Sequence, residues 1–190
     1  MHAFLVSATL VALAEMGDKT QLLSLVLAAR FRRPWPIVLG VLAATVANHA
    51  IAAGIGAWLT QMLGERTMRY IVAASFLAMA AWALVPDKPG GAVHTSGHGV
   101  FAATVAAFFL AEMGDKTQLA TIALAAHYGT PVLVVIGTTF GMLLADVPAV
   151  FVGEKLAKKI PMRLVHSIAA AIFATLGIAT LLGAGAKLGF

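Results

Sequence analysis

Cysteine is absent from this 190-residue sequence and charge is scarce, with 11% of residues charged against 61% hydrophobic. The first absence removes disulfides and thiolate metal sites, and it leaves the redox compartment undefined. The second removes the soluble globular class, because so few charges cannot cover so much apolar surface at this length. A formal charge of +5 would suit an acidic partner. The basic residues form no sustained stripe with interleaved aromatics, however, so no nucleic-acid partner is expected. There is also no nucleotide-binding loop, nucleophile–base set or H-E-x-x-H arrangement. A membrane enzyme or assembly factor therefore lacks support.

What the sequence holds in quantity is long apolar runs. Polar breaks divide them into stretches near residues 3–29, 36–60, 68–85, 100–126, 131–152 and 166–186. Each is close to or above the ~20 residues a helix needs to cross ~30 Å of hydrocarbon, the third being the shortest. None alternates like a barrel strand, so helix is the spanning structure to expect. The breaks hold membrane-edge residues: Arg30, Arg32, Arg33, Pro34, Trp35 and Pro36 after the first run, and Pro86, Asp87, Lys88, Pro89, Gly90 and Gly91 after the third. The first run lacks a basic leader and exceeds the ~7–15 apolar residues of a signal peptide, so it counts as a span. His94 and His98 fall in the longest linker, where solvated histidines are the plain reading. Trp35, Trp58 and Trp82 suit interfacial anchoring.

An internal repeat organises these runs. The stretch Leu-Ala-Glu-Met-Gly-Asp-Lys-Thr-Gln-Leu occupies Leu13–Leu22 and recurs unchanged as Leu110–Leu119, an offset of 97. The same offset pairs Ala28 and Ala29 with Ala125 and Ala126, Pro34 with Pro131, Gly40 with Gly137, Gly56 with Gly153, and Arg66 with Arg163. Ten consecutive identities that include charged and amide side chains do not arise from shared hydrophobicity. They mark a duplicated three-helix unit. Three is odd, so the second copy enters the membrane from the opposite side. The expected fold is an all-α integral membrane protein of six transmembrane helices, an inverted repeat of two three-helix units. Residues 1–85 form the first unit, 86–99 a cytoplasmic linker and 100–190 the second. With both termini outside the cytoplasm, the inner loops hold Arg30, Arg32, Arg33, Lys88, Lys155, Lys158, Lys159 and Arg163, and the outer side holds Arg66, Arg69 and Lys187. Eight against three favours that orientation.

The repeated segment carries the chemistry. Glu15 and Asp18 lie near the middle of the first run, and Glu112 and Asp115 near the middle of the fourth. A spacing of i, i+3 puts each pair on one helix face. One charge at bilayer depth costs at least ~2.5–3.5 kcal/mol on insertion scales, so four require a role. Gly17 and Gly114, inside the pairs, favour close helix approach or an unwound turn that frees carbonyls for a ligand. With Gln21 and Gln118 the donors are all oxygen, a set that suits Mn²⁺, Ca²⁺ or Mg²⁺. The bland alternative is that Lys19 and Lys116 simply neutralise the acids in structural ion pairs. Four carboxylates against two ammonium groups, however, leave two negative charges, which one divalent cation or two protons would cancel. Metal and protons then compete for the same oxygens, as coupled exchange requires. Lys19 and Lys116 would help to set the affinity. Thr20 and Thr117 either add hydroxyl ligands or bond back to a helix carbonyl.

The paired E-x-G-D-K-T motifs, Glu15–Thr20 and Glu112–Thr117, resemble the hallmark of a widespread family of small cation:proton exchangers. That family includes bacterial manganese exporters and the Golgi and chloroplast calcium/manganese transporters. The resemblance covers nearly the whole chain. It implies exchange of Mn²⁺, or of Ca²⁺ in some members, for H⁺, without a cofactor. It also implies a cation site formed by Glu15, Asp18, Glu112 and Asp115. The short linker and lack of a long N-terminal extension resemble the bacterial members, whose expected task is removing Mn²⁺ from the cytoplasm across the plasma (inner) membrane.

Other polar residues lie inside the runs. Asp146, two residues before Pro148, is in the fifth run, and at the offset of 97 its partner is His49, beside Asn48. They are expected near the outer parts of a packed bundle or a water-filled vestibule. Asp146 is a candidate proton relay, and Asn48 and His49 either line the pathway or serve packing. Ser24 and Thr121 hold equivalent positions beyond the acids and are candidate pathway residues. Gly137 and Gly141 read as a helix contact. Three functions compete: a Mn²⁺/H⁺ exchanger, a Ca²⁺/H⁺ exchanger and a passive divalent cation channel. An inverted repeat with ligands at the midplane favours alternating access.

Overall fold

Apolar runs of this length fold as helix wherever the backbone permits, so the informative positions are those where it does not. The computed structural model describes residues 1–85, 99–152 and 162–183. Among these residues there are seven helices and no strand. They are α1 (His2–Glu15), α2 (Lys19–Phe31), α3 (Pro34–Ala83), α4 (Val100–Glu112), α5 (Lys116–Tyr128), α6 (Pro131–Val152) and α7 (Met162–Leu181). The linker stretch 86–98, with Lys88, His94 and His98, lies outside the described residues. So do Gly153, Lys155, Lys158, Lys159 and Lys187.

The first and fourth expected spans are each two helices of 13 or 14 residues. Such a helix is about 20 Å long, too short to cross a bilayer alone. The breaks fall at Gly17 and Gly114, whose φ values of 80° and 77° lie in the left-handed region open to glycine. The unwound turn is therefore the alternative realised, and the helix-face argument for the acids is corrected. Glu15 and Glu112 end their helices, while Asp18 and Asp115 are N-caps of the next ones. Downstream, α2 and α5 each close on a left-handed residue, Arg32 (φ 53°) and Gly129 (φ 62°). Their N–H groups donate to the carbonyls of Ala28 and Ala125. Pro34 and Pro131 then open the following helices, as proline's fixed φ favours.

The second and third expected spans form one 50-residue helix, α3, interrupted at Gly64 (φ 71°, ψ 159°). Its first arm, Pro34–Gly64, and α6 as far as Phe151 are the two described helices long and apolar enough to cross a membrane unaided.

Packing joins the halves to each other. Helix α1 lies along α6, and α3 lies along α4, α5 and α7. Gly137 and Gly141 act as the expected helix contact. A Cβ at Gly137 would come within 2.6 Å of the Phe4 carbonyl oxygen, and one at Gly141 would collide with that of Ala8. At the offset of 97, Gly40 meets the Thr104 side chain and, at 3.1 Å, the Phe101 carbonyl oxygen. Residue numbers rise together along both pairs, so these neighbours run parallel. One apolar cluster gathers Leu10, Phe76, Leu124 and Phe173, and a second gathers Leu27, Ile37, Val41 and Phe108. All three tryptophans are exposed, in keeping with interfacial anchoring.

Candidate cation site

Each unwound turn is held by its own motif. In the first, the Gly17 N–H donates to Gln21 Oε1 at 3.0 Å, and Thr20 Oγ1 donates to Glu15 Oε2 at 2.6 Å. In the second, the Gly114 N–H donates to Gln118 Oε1 at 2.8 Å, and Thr117 Oγ1 donates to Glu112 Oε2 at 2.8 Å. The far ends of the two amides reach across to the other half. Gln21 Nε2 donates to the Ala145 carbonyl at 3.0 Å, and Gln118 Nε2 donates to Asn48 Oδ1. Asn48 in turn donates to the Phe109 carbonyl at 3.4 Å. Rather than bonding back to a helix carbonyl, Thr20 and Thr117 each donate to the glutamate of their own motif.

The ion pairs are crossed. Lys116 Nζ lies 3.1 Å from Asp18 Oδ1, and Lys19 Nζ lies 3.3 Å from Asp115 Oδ2. Both motifs therefore meet at one place, where Glu15, Asp18, Glu112 and Asp115 are all buried. One ligand oxygen from each of Glu15, Glu112 and Asp115 can be chosen so that all lie within 4.8 Å of one another. Opposed oxygens about a Ca²⁺ ion stand ~4.6–5.2 Å apart, and about a Mg²⁺ ion ~4.0–4.2 Å apart. The spacing thus accommodates a single hard divalent ion. Glu15 Oε1 and Glu112 Oε1 have no hydrogen-bond partner among the described residues. Buried carboxylate oxygens left without donors are costly, and a cation or a proton would satisfy them.

Of the packed bundle and the water-filled vestibule expected for Asp146 and His49, the first describes their surroundings here, since both are fully buried. The small residues of α6 draw it against the first half. There Ser24 Oγ donates to Asp146 Oδ1 at 3.2 Å, and Asp146 Oδ2 has no described partner. At the equivalent place Thr121 bonds back to the Thr117 carbonyl at 2.8 Å, and neither ring nitrogen of His49 has a described partner. One contact escaped the sequence reading. His166, on α7, lies with Nε2 2.8 Å from the Met16 carbonyl oxygen. No motif flags it, and the only hint is that its repeat counterpart, Arg69, is also a potential hydrogen-bond donor.

The model of a family described as "Divalent cation/proton antiporter GDT1" matches residues 3–91 and 100–187. The chain belongs to the GDT1 family. It is 47% identical over 181 residues to a protein of Vibrio cholerae serotype O1 named "Putative manganese exporter", covering 95% of this chain and 90% of that one. A GDT1-like protein of Synechocystis is 28% identical over 184 residues, covering 84% and 88%. GDT1-like protein 5 of Arabidopsis thaliana is 25% identical over 221 aligned positions, covering 96% of each chain. No solved structure matches. GDT1 membership makes this a membrane transporter of divalent cations and protons. The two E-x-G-D-K-T turns are the part of the chain whose donors suit that cargo.

Proposed function

We propose that the chain exports Mn²⁺ from the bacterial cytoplasm in exchange for protons, by alternating access about the two motif turns. One observation carries this reading: two glutamates of opposite repeats, buried side by side with Asp115, each present an oxygen that no described group satisfies. Glu15, Glu112, Asp115 and Asp18 hold the cation. Lys19 and Lys116 offset two of the four negative charges, and the remaining two are neutralised by one Mn²⁺ or by two protons, never by both at once. That exclusion is the coupling. Gln21 and Gln118 keep the turns in shape rather than offering ligands, because both ends of each amide are engaged in this conformation. Asp146, with Ser24, is a proton-accepting group beside the site, and Asn48, His49 and Thr121 line its approach.

The reading includes six crossings arranged as an inverted repeat in the bacterial plasma membrane, both termini extracytoplasmic. Counting α1–α2 and α4–α5 as one crossing each, the arms of α3 as two, and α6 and α7 as one each gives that number. The matched turns, crossed ion pairs and matched glycine contacts support the repeat. The balance of Lys and Arg supports the orientation. Mn²⁺ as cargo is taken from the name of the Vibrio cholerae relative.

The test is Mn²⁺ flux into proteoliposomes with and without an imposed pH gradient, beside Ca²⁺ and Mg²⁺. Gradient-driven Mn²⁺ flux that moves protons the other way carries the proposal. A strong preference for Ca²⁺ would make the chain a Ca²⁺/H⁺ exchanger. Flux indifferent to pH at fixed voltage would make it a passive channel and remove the competition between metal and protons.

A further inference from the structure

The two motif turns share their internal bonds but not their covers. His166, in the second turn of α7, approaches the Met16 carbonyl oxygen at 2.8 Å. A carbonyl only accepts, so Nε2 of the imidazole carries the proton. That carbonyl belongs to the unwound residue between Glu15 and Gly17, beyond the end of α1. In the second half Met113 is 56% exposed, and no described side chain bonds its carbonyl. The residue at the place matching His166 is Arg69, in the second arm of α3. Its guanidinium sits over the Tyr70 ring at 5.2 Å, and its Nη1 would lie 3.2 Å from a Cβ at Gly183. The Met16 carbonyl is therefore held by α7 and the Met113 carbonyl is not, and Arg69, a strong donor, occupies the matching position.

We propose that His166 is a positioning residue that latches the first motif turn in this state. In the opposite state Arg69 takes the Met113 carbonyl while His166 releases that of Met16. This rests on the inverted-repeat exchange reading, since halves related by inversion reach the opposite state when each adopts the other's conformation. A single hydrogen bond biases two states by about two- to tenfold. That is enough to favour one state and weak enough to break in every cycle.

The sequence contains no cysteine, so introduced thiols report alone. Two pairs are made, Met16→Cys with His166→Cys and Met113→Cys with Arg69→Cys, and treated in proteoliposomes with a short bifunctional thiosulfonate. The first pair is expected to bridge at rest and to stop flux until reduced. The second is expected to bridge only while Mn²⁺ and a pH gradient drive turnover. Flux that persists through a bridged first pair overturns the latch, and a second pair that never bridges during turnover overturns the part given to Arg69. As a check independent of bridging, His166→Ala should raise the reaction rate of Met16→Cys with an aqueous thiol reagent by about two- to tenfold. His166→Gln, which keeps an N–H donor, should restore it, and an unchanged rate in His166→Ala again removes the latch. Wild-type flux indifferent to pH, with the first bridge still blocking it, would end the exchange reading and leave the latch standing.

Discussion

Leu13–Leu22 and Leu110–Leu119 are the same ten residues in two surroundings. Both fold into the same broken helix, with glycine φ values within a few degrees of each other and the same pair of turn-closing bonds. Their neighbours differ. The first turn leans on backbone and on α7: Gln21 bonds the Ala145 carbonyl, and His166 covers Met16. The second leans on a side chain, Asn48, and leaves Met113 and Gly114 exposed. Local sequence thus sets the shape of a turn, and the other half of the molecule sets how firmly it is held.

The largest expected effect would break the symmetric part of this comparison. Glu15→Gln and Glu112→Gln should each reduce exchange to background while the protein remains in the membrane, because each removes a charge and an oxygen from one shared site. Mn²⁺ at a hundredfold excess over its dissociation constant should stabilise the wild type in detergent by about 2.7 kcal/mol and do nothing for either variant. Normal proton-coupled flux in one of them would remove that glutamate from the mechanism.

Next come the crossed ion pairs, where the halves should differ. The Lys116 side chain is 6% exposed and that of Lys19 is 24% exposed. Breaking a buried pair costs about 3–5 kcal/mol, and a partly solvated one much less. Lys116→Met should therefore lower the unfolding midpoint clearly more than Lys19→Met. Equal shifts in thermal unfolding would mean that both pairs share one environment.

Smaller effects are expected from helix spacing and from the Asn48 contact. Gly137→Ala drives a methyl toward the Phe4 carbonyl and should destabilise by roughly 1–3 kcal/mol. Gly54→Ala meets nothing within 4 Å and should stabilise by about 0.5–1 kcal/mol. The opposite signs are read from paired melting curves. Asn48→Ala should cost about 1–3 kcal/mol, two lost hydrogen bonds, and weaken apparent Mn²⁺ affinity severalfold. Unaltered affinity would show that Gln118 holds its turn without help.

Much of this was legible in the sequence because ten consecutive residues recur unchanged. Identity at Glu15–Thr20 and Glu112–Thr117 announced a pair of matching segments, and apolar run lengths announced helices. What was not legible depended on where the chain stops being helical. Spacing of i, i+3 implies a shared face only on an unbroken helix, and Gly17 and Gly114 break it. Asp146 looked peripheral because its depth depends on how closely α6 approaches the first half, which Gly137 and Gly141 decide through tertiary contact. His166 had no signal of its own, since a single histidine in an apolar run says nothing about a carbonyl 150 residues away.

The crossed ion pairs have a consequence for how the molecule is made. Lys116 and Asp18 are 98 residues apart in the chain, so a ribosome delivers Glu15, Asp18 and Lys19 to the membrane well before their partners exist. During that interval Glu15 and Asp18 have only Lys19 of their own motif to offset them, and Lys116 is still to come. Translation order thus makes arrival of the second copy the step that completes the first, and a gene encoding either half alone would yield a segment without its crossed ion pair.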